Sequence, residues 1–296
     1  MKITEEQIST CPICDNSKLI TLFSCTDYTV SKETFPLIQC DSCSLVITSP
    51  RPTADSIGKY YESNDYVSHA QKSNSLFDKV YFTARKIALR NKRSLIAKYH
   101  TKGKLLDYGC GTGSFLTYMH ENNWQTFGIE PSDKARIAAQ ASGVEIASNL
   151  EELNQKDFDV ITLWHVLEHV HDLNNKISQL KMLIAEKGTM IIAVPNYESF
   201  DAKYYANNWA AYDVPRHLWH FSQKSMKSLL TKHDLKLIDT VPMKMDSYYV
   251  SILSEKYQNR KGLKGAISGL LTGLKSNLRA AKSNQYSSLI YIAQKE

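Results

Sequence analysis

The chain of 296 residues has no apolar run approaching the roughly 20 residues that a membrane-crossing helix needs, and no charged, apolar and small-residue leader at its start. A helical membrane protein and a secreted one are both disfavoured, and a cytoplasmic, reducing environment is expected. Cysteine is sparse, at six. In such a compartment cysteines serve as metal ligands or buried thiols rather than as disulfides. Acidic residues are missing altogether from Arg260 to Lys282. The third glycine of a dinucleotide-binding GxGxxG is missing too, because Ser114 stands there, and that spacing disfavours NAD.

What is present centres on Lys104 to Phe115, KLLDYGCGTGSF. An apolar run rises into Asp107, and Gly109, Gly111 and Gly113 then alternate with Cys110 and Thr112 before a helical pattern starts at Phe115. Such a turn admits a ligand against the main chain, and the new helix offers unpaired N–H groups to it. The next strand candidate, Trp124 to Ile129, ends in Glu130, 17 residues past Gly113. A carboxylate placed there can accept both hydroxyls of a ribose.

Four cysteines form two knuckles, Cys11-Pro-Ile-Cys14 and Cys40-Asp-Ser-Cys43, with 25 residues between them. Each knuckle aims two sulfurs at one point, and two knuckles complete a tetrahedral, closed site for structural zinc. Leu19 to Phe23 and Phe35 to Gln39 read as short strands between them, so a zinc ribbon is expected. Cys25 matches neither knuckle and reads as a free thiol. Ser49-Pro-Arg-Pro52 reads as a linker. Beyond it come Tyr60, Tyr61, Tyr66 and His69, which suit either packing or a lid.

After the glycine turn, strand candidates (Trp124 to Ile129, Val144 to Ala147, Phe158 to Leu163, Thr189 to Val194) alternate with helical stretches (Phe115 to Asn122, Asp133 to Ser142, Leu173 to Glu186). Repeated strand, helix, strand implies an α/β fold with a parallel sheet, and ligands bind such sheets at the carboxyl ends of the strands. The end of the chain adds a helix (Gln223 to His233), a strand (Lys236 to Thr240) and an apolar strand (Ser288 to Ala293).

The DxGxGxG turn with Glu130 resembles motif I of the class I S-adenosylmethionine (SAM) dependent methyltransferases. That resemblance implies a seven-stranded Rossmann-like sheet with helices on both faces and an antiparallel seventh strand, preceded by the small zinc ribbon. It also implies SAM on Asp107, Gly109, Gly111, Gly113 and Glu130. The resulting division is ribbon 1–50, linker or lid 51–75 and methyltransferase domain 76–296, with an insertion at about 245–285.

Leu163-Trp-His-Val-Leu-Glu-His-Val-His171 resembles motif IV of small-molecule methyltransferases. Trp164 is then a cofactor contact, and His165, Glu168 and His169 face the acceptor. In ubiquinone-pathway O-methyltransferases similar positions hold Glu, Glu and His around a divalent metal. Here the first is His165, and the departure favours a metal-free site. Asp213-Val-Pro-Arg-His-Leu-Trp-His-Phe-Ser222 resembles the PRHLxHFS signature of a bacterial methyltransferase subgroup that often carries a zinc module. Sugar C-methyltransferases with such a module imply His217 as catalytic base, His169 as its orienter or alternative, and Tyr66 as a substrate or cofactor contact. Arg216 and His220 are expected at the substrate, and Ser222 as a helix cap.

The segment Ser75 to His100 carries Lys79, Arg85, Lys86, Arg90, Lys92, Arg93 and Lys98 against Asp78, a pattern usual for a solvated helix face. Within the insertion, Gly265, Gly269 and Gly273 allow close helix contact, while Leu263, Ile267, Leu270, Leu274 and Leu278 with neighbouring bases suit anionic lipid, a lid or a dimer contact. The expected partner is a small-molecule acceptor, with a lipid-linked one allowed and DNA not expected. RNA methylation is the main rival. It is disfavoured because Leu-Trp-His-Val-Leu replaces the Asn/Asp-Pro-Pro-aromatic of enzymes acting on base amines. A SAM-sensing protein without catalysis is the third reading.

Overall fold

The computed structural model describes residues 4–62, 76–140 and 144–296, with the side chains of 76–84 set aside. Strand β1 (Glu5–Glu6) leads into an antiparallel run of β2 (Leu19–Thr26), β3 (Thr34–Cys40) and β4 (Val46–Thr48), and β5 (Arg51–Pro52) returns to pair with β1. The knuckle backbones explain the cysteine spacing. Asp15 N–H closes on Cys11 O, Ser44 N–H closes on Cys40 O, and Asp15 and Ser44 both adopt positive φ. Each turn thereby points its pair of sulfurs the same way.

Ser49 to Pro52 is not a free linker. Arg51 is 2% exposed, donates from Nε to Glu6 Oε1 at 2.6 Å and lies 4.2 Å from the Trp219 ring centroid. A short 3-10 helix, Ile57–Tyr61, follows. Helix α1 (Leu76–Ile96) then leads to β6 (Lys104–Tyr108), α2 (Ser114–His120), β7 (Gln125–Ile129), α3 (Asp133–Gln140), β8 (Glu145–Ala147) and β9 (Phe158–Trp164).

Helix α4 (Leu173–Leu183) stops earlier than its apolar pattern suggests, because Ile184 already pairs with Phe158. From there β10 (Ile184–Pro195) runs on through a register shift between Ile184 and Thr189. After α5 (Phe200–Tyr205) and β11 (Trp219–His220) come α6 (Gln223–Lys232), β12 (Leu235–Pro242), a helical hairpin of α7 (Asp246–Tyr257) and α8 (Gly262–Ser283), and β13 (Ser288–Lys295). Ser222 caps α6 as expected, in a capping box with Ser225.

The large sheet has seven strands in the order β12-β13-β10-β9-β6-β7-β8. β13 runs antiparallel to both neighbours, and β10-β9-β6-β7-β8 pair in parallel. Because side chains alternate along a strand, β10 sends Met190, Ile192 and Val194 into one core and Ile191 and Ala193 into the other. The first core takes Leu173, Ile177 and Leu180 from α4 and Leu229 and Leu230 from α6, and continues into Cys11, Cys40, Cys43 and Ile47. The four-cysteine module therefore shares a core with one face of the large sheet. Its own sheet takes a fourth strand from far along the chain, since β11 pairs antiparallel with β4.

Candidate active site

Asp107, next to last in β6, is almost wholly buried and accepts from Thr162 Oγ1 at 2.6 Å. Burial pushes its carboxyl up to about 6, against the pull of Thr162 and Lys92. The glycine turn folds back on β7, with Gly109 and Cys110 N–H both donating to Ile129 O. Gly109 and Gly113 sit at φ +77° and +71°, and a Cβ at Gly109 would fall 2.5 Å from Val166 Cγ2. Glycine is required there by backbone shape and by the approach of the motif IV loop. Glu130 lies directly under the turn, accepting from Gly111 N–H at 2.8 Å and Ser132 N–H at 2.9 Å.

Trp164 packs edge-on against Phe115, with ring centroids 5.8 Å apart. Its indole N–H is buried with no partner among the described residues. Lys92 Nζ lies 4.2 Å from the Trp164 centroid, and burial lowers the pKa of that ammonium while Asp107 and Asp246 oppose the shift. The sequence pattern puts Lys92 on a solvated face; one turn of α1 instead carries it inward, to the Phe115 and Trp164 rings.

Past β9 the chain enters positive φ at His165 (+56°), which turns this ring between two carboxylates. Nδ1 is 3.2 Å from Glu168 Oε1 and Nε2 is 3.0 Å from Asp246 Oδ2. Burial alone would lower the imidazole, but Asp246 and Glu168 prevail and hold it raised to about 10. Both ring nitrogens are thus committed, and His165 does not join Glu168 and His169 around a common point. The cluster that does form is Glu168, His169 and His217, each offering a ligand atom within 4.8 Å of the others.

His169 and His217 meet edge to face, with centroids 4.6 Å apart. Each fixes its tautomer on a backbone carbonyl. His169 Nδ1 donates to Arg216 O at 3.0 Å, with Tyr61 Oη also 3.0 Å away, and His217 Nδ1 donates to Ala211 O at 2.8 Å. The Nε2 lone pair of each is left available. Burial, with His217 nearby, lowers His169 to about 4, so its ring is neutral at pH 7. Glu168 is fully buried, and its Oε2 has no partner among the described residues.

A cavity of about 600 Å³ opens beside these rings, lined by His165, His169, Asp213, His217, Asp246, Tyr249 and Tyr257 among others. Its walls come from the carboxyl ends of β9 and β10, the start of β13, the 210–217 segment and α7, with Tyr28 and Thr29 of the N-terminal module closing one side.

Two residues expected at the substrate are elsewhere. Arg216 is 1% exposed and spends its guanidinium on Asp213, Asp27 and the Tyr60 carbonyl. It binds the loop to the N-terminal module rather than facing the cavity. His220 is buried behind His217, with Nε2 donating to Thr48 Oγ1 at 3.0 Å, since that hydroxyl spends its own hydrogen on His217 O at 2.7 Å. Tyr66 lies outside the described residues.

In the N-terminal module the sulfurs of Cys11 and Cys43, and of Cys14 and Cys40, are 3.4 Å apart, and all four gather within 4.8 Å. That spacing suits four thiolates about one tetrahedral ion. Cys25 is buried and apart from them.

The sequence pattern of a methyltransferase domain matches residues 81–240, more than half of the chain. The chain belongs to this methyltransferase-domain family. The matched stretch runs from within α1 to β12, so the four cysteines and the α7–α8 hairpin lie outside it. Ubiquinone biosynthesis O-methyltransferases of Rhodopseudomonas palustris (strain HaA2) and Actinobacillus pleuropneumoniae serotype 7 (strain AP76) are 28% and 33% identical over 128 and 107 residues. These stretches cover 39% and 31% of this chain and 51% and 46% of theirs. The chain spans about half the length of the curated relatives it matches. Among solved structures, magnesium protoporphyrin IX methyltransferase from Synechocystis PCC 6803 with bound SAH superposes with a TM-score of 0.52. The identity is 14%, and the match covers 80% of this chain and 97% of that one, a likeness of fold.

Proposed function

We propose that this protein transfers the methyl group of SAM to a small acceptor held in the cavity, with His217 as general base and His169 orienting it. The observation that carries this reading is the pair of histidines whose Nδ1 atoms are tied to backbone carbonyls, leaving both Nε2 lone pairs on a chamber at the carboxyl end of the sheet. SAM would rest on the Asp107 to Gly113 turn with Glu130 at its ribose and Trp164 beside it. SAM is already activated, so the protein's task is alignment and proton removal. The acceptor's O–H or acidic C–H gives its proton to His217 Nε2 as its electron pair takes the methyl carbon. The carbon–sulfur bond breaks and S-adenosylhomocysteine leaves. Residues 76–296 would carry this chemistry, and residues 1–50 a structural zinc on Cys11, Cys14, Cys40 and Cys43.

His217→Ala tests the assignment. S-adenosylhomocysteine affinity by calorimetry should stay within about threefold of wild type, while transfer of labelled methyl to a cognate acceptor falls about 10²–10⁴-fold. Undiminished turnover would remove His217 from the role.

A second reading rests on the orphan Glu168 Oε2. With His169 and His217 it offers two imidazoles and a carboxylate, a set suited to a divalent transition metal. Such an ion would polarise an acceptor oxygen. Metal analysis separates the two readings: a second equivalent per chain, lost in Glu168→Gln while the cysteine-bound equivalent stays, would favour the metal.

A further inference from the structure

Helix α8 is built inside out. At about 100° per residue, Gly265, Gly269, Thr272, Gly273, Ser276 and Ala280 fall on one face, and all are buried. A Cβ at Gly269 would lie 2.6 Å from Ile252 Cα, and one at Gly273 would lie 2.8 Å from Tyr248 Cα, so this face is pressed against α7. Ser276 Oγ locks it further, donating to the buried Asp201 at 2.6 Å. The opposite, outward face is where a surface helix usually carries its polar residues. Here it carries Leu263, Ile267, Leu270, Leu271, Leu274 and Leu278, each between 44% and 77% exposed.

The charge beside this stripe has one sign. Lys264, Lys275, Arg279 and Lys282 follow one flank, and no Asp or Glu occurs between Arg260 and Lys282. Lys275 and Arg279 lie over the Phe200 ring, which anchors their stems without neutralising them. A second copy is a poor occupant: a two-fold contact through this face would bring matching lysine rows together with no acid on either helix to pair them. No helix among the described residues is long and apolar enough to cross a bilayer. An apolar stripe bordered only by cations suits a helix lying in the headgroup plane of an anionic membrane.

We infer that the outward face of α8 docks the protein on anionic lipid bilayers. The consequence for the chamber is local. Helix α7, against which α8 is packed, supplies Asp246, Tyr249, Val250, Leu253 and Tyr257 to its wall, and Tyr249 is 64% exposed. The docked surface and the cavity wall are thus two sides of one hairpin.

The test is flotation of the full-length protein with vesicles of phosphatidylglycerol and phosphatidylcholine, against phosphatidylcholine alone. Binding to the anionic vesicles is expected, weakening as salt rises. A Leu270→Ser, Leu271→Ser, Leu274→Ser variant should lose at least tenfold in affinity while keeping the wild-type unfolding midpoint. Lys264→Gln with Lys275→Gln should lose roughly thirtyfold. Failure to float with anionic vesicles at low salt would overturn the inference, as would equal binding to neutral ones. A concentration-dependent dimer in sedimentation that the triple variant abolishes would also overturn it, giving the face to a second copy.

Discussion

Arg216→Lys tests how the loop bearing His217 is held. The native guanidinium donates twice to Asp213, at 2.9 and 2.6 Å, once to Asp27 at 2.9 Å and once to the Tyr60 carbonyl at 2.9 Å. An ammonium keeps the charge but lacks the planar fork, so it cannot serve both carboxylates and the carbonyl together. Charge-assisted bonds contribute about 1.5–3 kcal/mol each, and the ammonium recovers part of the loss. The expected cost is about 2–4 kcal/mol, below the 3–5 kcal/mol typical of leaving a buried partner unpaired. Against a total stability of about 5–15 kcal/mol, the variant should still fold. Guanidinium denaturation measures the cost. Parallel assays should find S-adenosylhomocysteine affinity unchanged and turnover down about tenfold or more, because His217 is the next residue and small misplacements are costly. The effect also has a pH signature. Burial would raise both carboxyls, but Arg216 holds Asp27 and Asp213 below their ordinary 3.8. Their contribution is therefore present above about pH 4 and is lost as pH falls through the depressed folded values. The gap between wild type and variant should narrow in acid. An unfolding free energy within 0.5 kcal/mol of wild type, where ordinary surface changes fall, would refute the assignment of Arg216 as an anchor.

Glu130→Gln keeps the side chain's size but not its charge or its full acceptor capacity; S-adenosylhomocysteine affinity by calorimetry should drop at least tenfold, roughly the value of one charge-assisted bond, with circular dichroism unchanged. His165, raised to about 10 by Asp246 and Glu168, contributes stability that is fully present below its ordinary 6.5 and is lost as pH rises toward 10. In Asp246→Asn the alkaline fall in unfolding midpoint should begin at lower pH, and an unshifted profile would deny the ion pair. Stripping metal with a chelator should remove about one zinc per chain. It should also lower turnover together with stability, as metal analysis beside limited proteolysis would record; a stripped protein of full activity would contradict the coupling.

Much of the fold was legible because its signals are local and periodic. The turn from Asp107 to Gly113, the alternation after it and the cysteine knuckles each follow from a few neighbouring residues, while the antiparallel last strand comes from the family resemblance. The misread residues depend on distant partners. A buried anchoring arginine and a substrate-binding one look alike in Pro-Arg-His-Leu; what decides Arg216 is Asp27, in the turn just past β2 of the N-terminal module. His220 is likewise settled by Thr48. Lys92 belongs to a basic helix stretch whose inward turn shows only once Trp164 is beside it. The glycines of α8 did announce a close contact. That its leucines then face outward depends on α7 and Asp201 claiming the small face.

The same non-local pairing bears on what the four-cysteine module is for. β11 holds only two residues, too short to announce itself by periodicity, yet it is the edge strand of the module's sheet. Thr48 donates its N–H to Leu218 O and its hydroxyl to His217 O. The backbone on both sides of the Arg216–His217 bond is thus held from the module: by Asp27 through Arg216, and by Thr48 through His217 and Leu218. Remove the module and two buried acceptors, His217 O and Leu218 O, lose their donors while an Arg216 N–H loses its carboxylate acceptor, at the point where the proposed base must be aimed, a cost of about 1–3 kcal/mol for each unsatisfied group. A four-cysteine sheet that reads as detachable in sequence is, on this geometry, the wall against which His217 is set.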